Sequence, residues 1–152
     1  MSRKIKVFLD TSALFAGIWS AEGGSRMILK LGEAEVIRPI VSRQVLHEIE
    51  RALRRKAPDL LGVLALFLDR SGIEIVPAPT EKTLSKITGI IHHLGDAEVL
   101  SAAVESGADY FVTLDRVHFL DNDHLLSEVT LPLGTPGNFL DWYRGLINQG
   151  KI

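Results

Sequence analysis

The sequence predicts a three-layer α/β domain, a mostly parallel central sheet flanked by helices, with residues 1–152 as one unit. Three observations carry that expectation. Short apolar runs alternate with stretches of helical period, the order that builds a parallel sheet covered by helices. Two of the runs, Val7-Phe8-Leu9 and Tyr110-Phe111-Val112-Thr113-Leu114, end directly in an aspartate, Asp10 and Asp115. The carboxyl ends of adjacent parallel strands share one edge, outside which ligands bind, so these aspartates are placed to meet there. Finally, 152 residues suffice for one domain with a sizeable core.

The elements follow in order. Lys6 to Leu9 reads as strand one, and the loop after it holds Trp19. The Ala21-Glu22-Gly23-Gly24 turn precedes a helix from Ser25 to Leu31, and Val36 to Val41 is strand two. Ser42 stands at a helix start, where its hydroxyl accepts from the free amides of the first turn. The helix it opens carries Val45, Leu46, Ile49, Ala52 and Leu53 on one face, a core-facing stripe. A second helix runs from Pro58 to Asp69 and stops at Gly72. Ile73 to Val76 is strand three, Pro77 to Thr80 a loop, and Glu81 to His93 a helix. Gly95-Asp96 restarts the chain into a helix through Glu105, with Asp96 as its expected cap. Tyr110 to Thr113 is strand four, a fifth strand falls within Val129 to Leu133, and Asn138 to Ile147 is the closing helix.

Composition excludes several classes of function. There is no cysteine, hence no disulfide, thiolate zinc site or cysteine nucleophile. The longest uncharged apolar run, Leu60 to Leu68, is far below the roughly 18 residues a membrane span needs. The opening residues do not follow a signal-peptide pattern, and a cytoplasmic location is the expectation. Lys and Arg number 17 against 19 Asp and Glu, so a polyanion must be held by a local patch or through metal rather than by net charge.

Taken singly, the acids are ordinary. Asp10, Asp96 and Asp115 suit helix caps, and Glu48 suits the solvated flank of its stripe. Their order changes the reading. The segments Leu9-Asp10-Thr11-Ser12, Ser42-Arg43-Gln44-Val45-Leu46-His47-Glu48-Ile49, Gly95-Asp96-Ala97-Glu98-Val99-Leu100-Ser101-Ala102-Ala103, Gly107-Ala108-Asp109-Tyr110-Phe111-Val112-Thr113-Leu114-Asp115 and Thr135-Pro136-Gly137-Asn138-Phe139-Leu140 together resemble the PIN-domain nucleases, closest to the toxin-like branch of toxin–antitoxin ribonucleases. The resemblance covers nearly the whole chain. It implies a PIN-like fold, catalytic and metal-binding roles for Asp10, Glu48, Asp96 and Asp115, and RNA as substrate. Family spacing favours Glu48 over Glu50, a choice that helical geometry alone leaves open.

Physical chemistry agrees with that implication. Clustered carboxylates repel unless protons or cations neutralise them. All-oxygen ligation suits Mg²⁺ or Mn²⁺, whose bound waters serve hydrolysis of a phosphodiester. Ser12 and Thr113 are placed to orient a carboxylate or a metal-bound water. Arg51, Arg54, Arg55 and Lys56 follow Glu48 as a basic cluster and, against the plainer reading of a solvated face, are candidates for RNA phosphate contacts, the three arginines foremost. Trp19 is a candidate for base stacking. Asp121 and Asp123 are alternatives for a fifth ligand, with capping of the next short helix the better reading. His47, His92 and His93 read as surface residues. Leu60 to Leu68 is apolar beyond one core face, which points to an interface: a homodimer or an antitoxin groove. Two phosphotransfer folds with a strand-end aspartate fit less well, because each needs a lysine that has no counterpart here. A PIN-fold module that binds RNA or a protein without cutting is the alternative to the nuclease.

Overall fold

The computed structural model of the chain describes residues 3–152. Five strands, β1 (Ile5–Leu9), β2 (Ile37–Ser42), β3 (Glu74–Val76), β4 (Tyr110–Val112) and β5 (Leu133–Gly134), form one sheet in the order β3-β2-β1-β4-β5. Every pairing is parallel, so the expected α/β class holds. The sheet grows one way from β1 through β2 to β3, then the chain returns to the other side of β1 for β4 and β5. The order therefore reverses between β1 and β4, where open α/β sheets form their crevice. Leu9 pairs with Val112, which sets Asp10 beside Thr113 at that crevice.

Eight helices flank the sheet among the described residues: α1 (Thr11–Trp19), α2 (Gly24–Glu33), α3 (Arg43–Lys56), α4 (Leu61–Arg70), α5 (Glu81–Thr88), α6 (Leu94–Glu105), α7 (Asp123–Glu128) and α8 (Pro136–Asn148). None is long and apolar enough to cross a membrane. The core joins both strand faces to them. Phe8 of β1 stacks on Phe111 of β4 with ring centroids 5.5 Å apart, and Phe119 packs against Phe111. The stripe of α3 buries Val45, Ile49 and Leu53 completely and Leu46 and Ala52 in part. Each such side chain contributes about 1.5–3 kcal/mol of transfer free energy, enough to fix which way α3 turns its other faces. Ser42 caps α3 by accepting the Val45 N–H, as its position predicts.

The structure differs from expectation in six places. Residues 11–19 form α1 rather than a loop, so Trp19 ends a helix, 56% exposed and stacked on Phe15. Its apolar residues surround the helix axis instead of forming a stripe, and periodicity had nothing to register. The helix from Glu81 ends at Thr88, with Gly89 at its C-cap, and does not reach His93. The cap of α6 is His93, whose Nδ1 accepts the Asp96 N–H, so Asp96 lies in the first turn instead of capping. The fifth strand is Leu133–Gly134, at the very end of the Val129–Leu133 window and one residue past it, because α7 extends to Glu128 and Pro132 lacks an N–H for the ladder. A side chain at Gly134 would place its Cβ 2.4 Å from the Tyr110 hydroxyl, so only glycine fits there. Asn122, rather than Asp121 or Asp123, caps α7. Finally, most of Leu60 to Leu68 packs on the core, including Leu64 and Phe67, and leaves Leu66 exposed at 48%.

Candidate metal centre

Asp10, Glu48, Asp96 and Asp115 all line one hollow of about 410 Å³ at the carboxyl edge of the sheet. Each reaches it from a different element. Asp10 directly follows β1 and caps α1, its Oδ1 accepting the Ala13 N–H at 2.8 Å. Asp115 follows β4 and caps a short π-helical turn, Arg116–Leu120. Glu48 comes from the second turn of α3 and Asp96 from the first turn of α6. Glu50, two residues on from Glu48, does not line the hollow. A larger hollow of about 840 Å³ opens at the opposite, amino end of the strands beside Asp109. That carboxylate is already taken by Arg3 and by the Lys6 N–H, and Glu128 is the other acid that lines this hollow, against four in the first.

Hydroxyls set the direction of the buried acid. Ser12 Oγ donates to Asp10 Oδ1 at 2.7 Å and Thr113 Oγ1 donates to Asp10 Oδ2. Each hydroxyl also accepts a backbone amide, Ser12 from Leu114 at 3.0 Å and Thr113 from Asp115 at 2.9 Å. With its lone pairs facing those amides, each hydroxyl sends its one proton to Asp10. The same two bridges tie the end of β1 to the end of β4. Glu48 is held from both sides, by Thr11 Oγ1 and by Gln44 Nε2, each at 2.8 Å, and Gln44 in turn reaches the Gly95 carbonyl at 3.1 Å. That link fixes α3 against the start of α6.

Charge is concentrated here. Burial pushes the Asp10 carboxyl up to about 6, against the hydrogen bonds from Thr113, Ser12 and Ala13. Burial also raises Asp96, opposed by the nearby His118 and His93 and assisted by repulsion from Asp115 and Glu48. For Asp115 burial acts upward too, but hydrogen bonds from His118 prevail and hold it below the usual carboxylate range. His118 is raised in return, chiefly by its hydrogen bond to Asp115 and despite some desolvation.

Asp96 Oδ2 is buried and accepts no hydrogen bond. His93 Nδ1 lies 3.0 Å and His118 Nδ1 3.2 Å away, yet neither aims an N–H at it. The first is occupied as acceptor for the Asp96 N–H, and the second is directed to Asp115 Oδ2 at 2.9 Å. A buried carboxylate oxygen without a donor costs on the order of several kcal/mol unless a cation faces it. The donor set therefore fits a divalent metal ion.

The other candidates fall outside the cluster. Asp121 is exposed and pairs with Arg116 at 3.1 Å, Asp123 is exposed, and neither lines the hollow. Arg51, Arg54 and Arg55 are exposed along α3 and line a shallow hollow that shares Glu48 with the acid site. His47, His92 and His93 are all exposed, as read, and His93 in addition caps α6 beside Asp96. Two contributors went unread in the sequence, His118 and the Gln44–Thr11 clamp, while Lys56 of the basic cluster lines the acid hollow itself, its ammonium 5.7 Å from the Phe15 ring centroid. The signal for His118 and His93 is spacing, since each stands three residues from an acid and so on the same side of a helical turn.

A switch-point crevice walled by four acids on an all-parallel five-stranded sheet defines an α/β protein of acidic, metal-type site. The sequence profile of the PIN domain matches residues 6–117, which include all four acids, and the chain belongs to the PIN domain family. Among solved structures the fold is similar to VapBC2 from Rickettsia felis bound to a DNA fragment from its promoter, at 18% identity, over 86% of this chain and 98% of that one, with a TM-score of 0.61. It is also similar to PAE2754 from Pyrobaculum aerophilum, at 17% identity, over 93% and 90% of the two chains, with a TM-score of 0.62. A third, VapC20 of Mycobacterium tuberculosis, described as a sarcin-ricin loop cleaving toxin, is 16% identical over 76% and 94%, with a TM-score of 0.52. A search of curated proteins gave no match.

Proposed function

We propose that this protein is a divalent-metal-dependent endoribonuclease, working with Mg²⁺ or Mn²⁺ and acting as the toxin of a toxin–antitoxin pair. One observation carries the reading: four carboxylates from four elements face one hollow, with Asp96 Oδ2 buried and without a hydrogen-bond donor. Family membership and the likeness of the fold to VapBC2 and VapC20 support it.

In this reading Asp10, Glu48, Asp96 and Asp115 hold the ion. When bound, such an ion polarises a phosphoryl oxygen and lowers the pKa of the attacking water. The chain's own residues supply position. Ser12 and Thr113 keep both Asp10 oxygens aligned, and Thr11 with Gln44 stops Glu48 from swinging out to solvent. Arg51, Arg54 and Arg55 take the RNA backbone beside the acids, a local grip that the net charge of -2 makes necessary. An antitoxin protein is the partner such a toxin requires.

The test is cleavage of an end-labelled RNA pool by the purified protein with Mn²⁺, with Mg²⁺ and with EDTA, beside Asp96→Asn. Fragments that appear only with metal and disappear in the variant support the proposal. Cleavage that persists in EDTA, or equal cleavage by the variant, contradicts it.

A further inference from the structure

Of the two imidazoles at the acid cluster, only one has an Nδ1 without a backbone partner. His93 Nδ1 is committed to the Asp96 N–H at the start of α6. His118 Nδ1 has no backbone duty: it sits 2.9 Å from Asp115 Oδ2 and 3.2 Å from Asp96 Oδ2, and the ring is 43% exposed, so water can serve its other nitrogen. Ligand-capable atoms of Asp96, Asp115 and His118 all lie within 4.8 Å of one another. Neighbouring ligands on an octahedral ion with bonds of about 2.1 Å are about 3.0 Å apart, the edge of the octahedron. Both nitrogen–oxygen separations match that edge, and Asp96 Oδ2, the oxygen without a donor, is one of the corners.

We propose that His118 gives its Nδ1 to the ion held by Asp96 and Asp115, making a mixed nitrogen–oxygen site that selects first-row transition ions, Mn²⁺ and more strongly Co²⁺, over Mg²⁺. This rests on the metal reading above and adds to it a ligand and a selectivity. Mg²⁺ prefers oxygen and keeps its waters, whereas imidazole strengthens binding progressively from Mn²⁺ to Co²⁺ and beyond. The turn that carries His118 is built for this placement. Asp115 Oδ1 accepts the His118 backbone N–H at 3.1 Å, which closes the π-helical turn and folds the ring back over the carboxylate three residues earlier.

The test uses the full chain and Mn²⁺ as a spectroscopic probe. Electron spin-echo modulation of bound Mn²⁺ is expected to show coupling to ¹⁴N in the wild type and in His93→Ala, and to lose it in His118→Ala while Mn²⁺ stays bound. Calorimetry is expected to show that His118→Ala weakens Co²⁺ about tenfold or more and Mg²⁺ less than about threefold, with His118→Gln, which keeps an amide beside Asp115, behaving alike. Bound Mn²⁺ without nitrogen coupling in the wild type, coupling that follows His93 instead, or equal losses for Co²⁺ and Mg²⁺ would overturn the assignment and leave the four-acid site standing. A wild type that binds no Mn²⁺, with Asp96→Asn indistinguishable from it, overturns both.

Discussion

Burial of Asp10 makes the metal-free protein lose stability as pH rises. Its carboxyl is raised from 3.8 to about 6 in the folded state, chiefly by desolvation. The folded protein then binds this proton more tightly than the unfolded chain does. The stabilisation is fully present below the unfolded value near 3.8 and is lost as pH climbs through about 6. The interval corresponds to about 3 kcal/mol in total, of which about 2.5 kcal/mol falls between pH 4 and pH 8. His118, raised by Asp115, and Asp96, raised by burial, tilt the whole curve in the same direction, so the Asp10 share is isolated by Asp10→Asn. Asparagine keeps the cap of α1. Its amide cannot accept from both Ser12 and Thr113, but that loss is independent of pH and cancels from the slope. Urea unfolding in EDTA from pH 4 to pH 8 should therefore show wild-type stability falling relative to Asp10→Asn by about 2–3 kcal/mol, or roughly 5–10 °C in melting temperature for a chain of this size. Millimolar Mn²⁺ should abolish the fall, because the ion stabilises the ionised form and binds only the folded state. A wild-type-minus-variant difference that stays flat to within about 0.5 kcal/mol across this range would refute the reasoning.

Two further outcomes are expected. Glu48→Gln should lower metal-dependent RNA cleavage by at least about tenfold while Glu50→Gln stays near wild type, since only Glu48 lines the acid hollow; the reverse ranking in a cleavage time course would mean that α3 presents another face. Changing Arg51, Arg54 and Arg55 together to Ala should weaken RNA binding and reduce the slope of log affinity against log salt by about 2, with Mn²⁺ affinity unchanged, as a fluorescence titration at several salt concentrations would report.

How much of this the sequence announced depended on whether a residue's role is local. Strand ends were legible because β1 and β4 are buried runs cut off by an acid, and the α3 stripe because one of its faces alone is apolar. The end of α5 was placed too late because the helix stops at Thr88 with Gly89 as its C-cap, and the cap of α6 was misplaced because His93 fills that role, which few sequences signal. Helix α1 escaped notice for a different reason: Ala13 to Trp19 are all apolar or glycine, so although Ala13, Leu14, Gly17 and Ile18 are buried on one side, no polar face marks the period. At the site, Asp10 and Asp115 stood out by position after strands, with Ser12 and Thr113 beside them, whereas Glu48 and Asp96 are ordinary taken singly and were picked out by the resemblance to the PIN-domain nucleases. The clamp on Glu48 did not stand out, since Thr11 is 37 residues distant and meets it only in the folded chain. His118 was hidden differently, inside a charged segment that matches no regular period and folds into a π-helical turn.

The central claim is that Asp10, Glu48, Asp96 and Asp115 together hold a divalent ion. Anomalous diffraction from crystals grown with Mn²⁺ tests it most directly. The account predicts one or more strong peaks within coordination distance of these carboxylates, about 2.2 Å from oxygen, and their loss in Asp96→Asn. Ordered Mn²⁺ found only at other surface acids, with the four carboxylates empty, would contradict it.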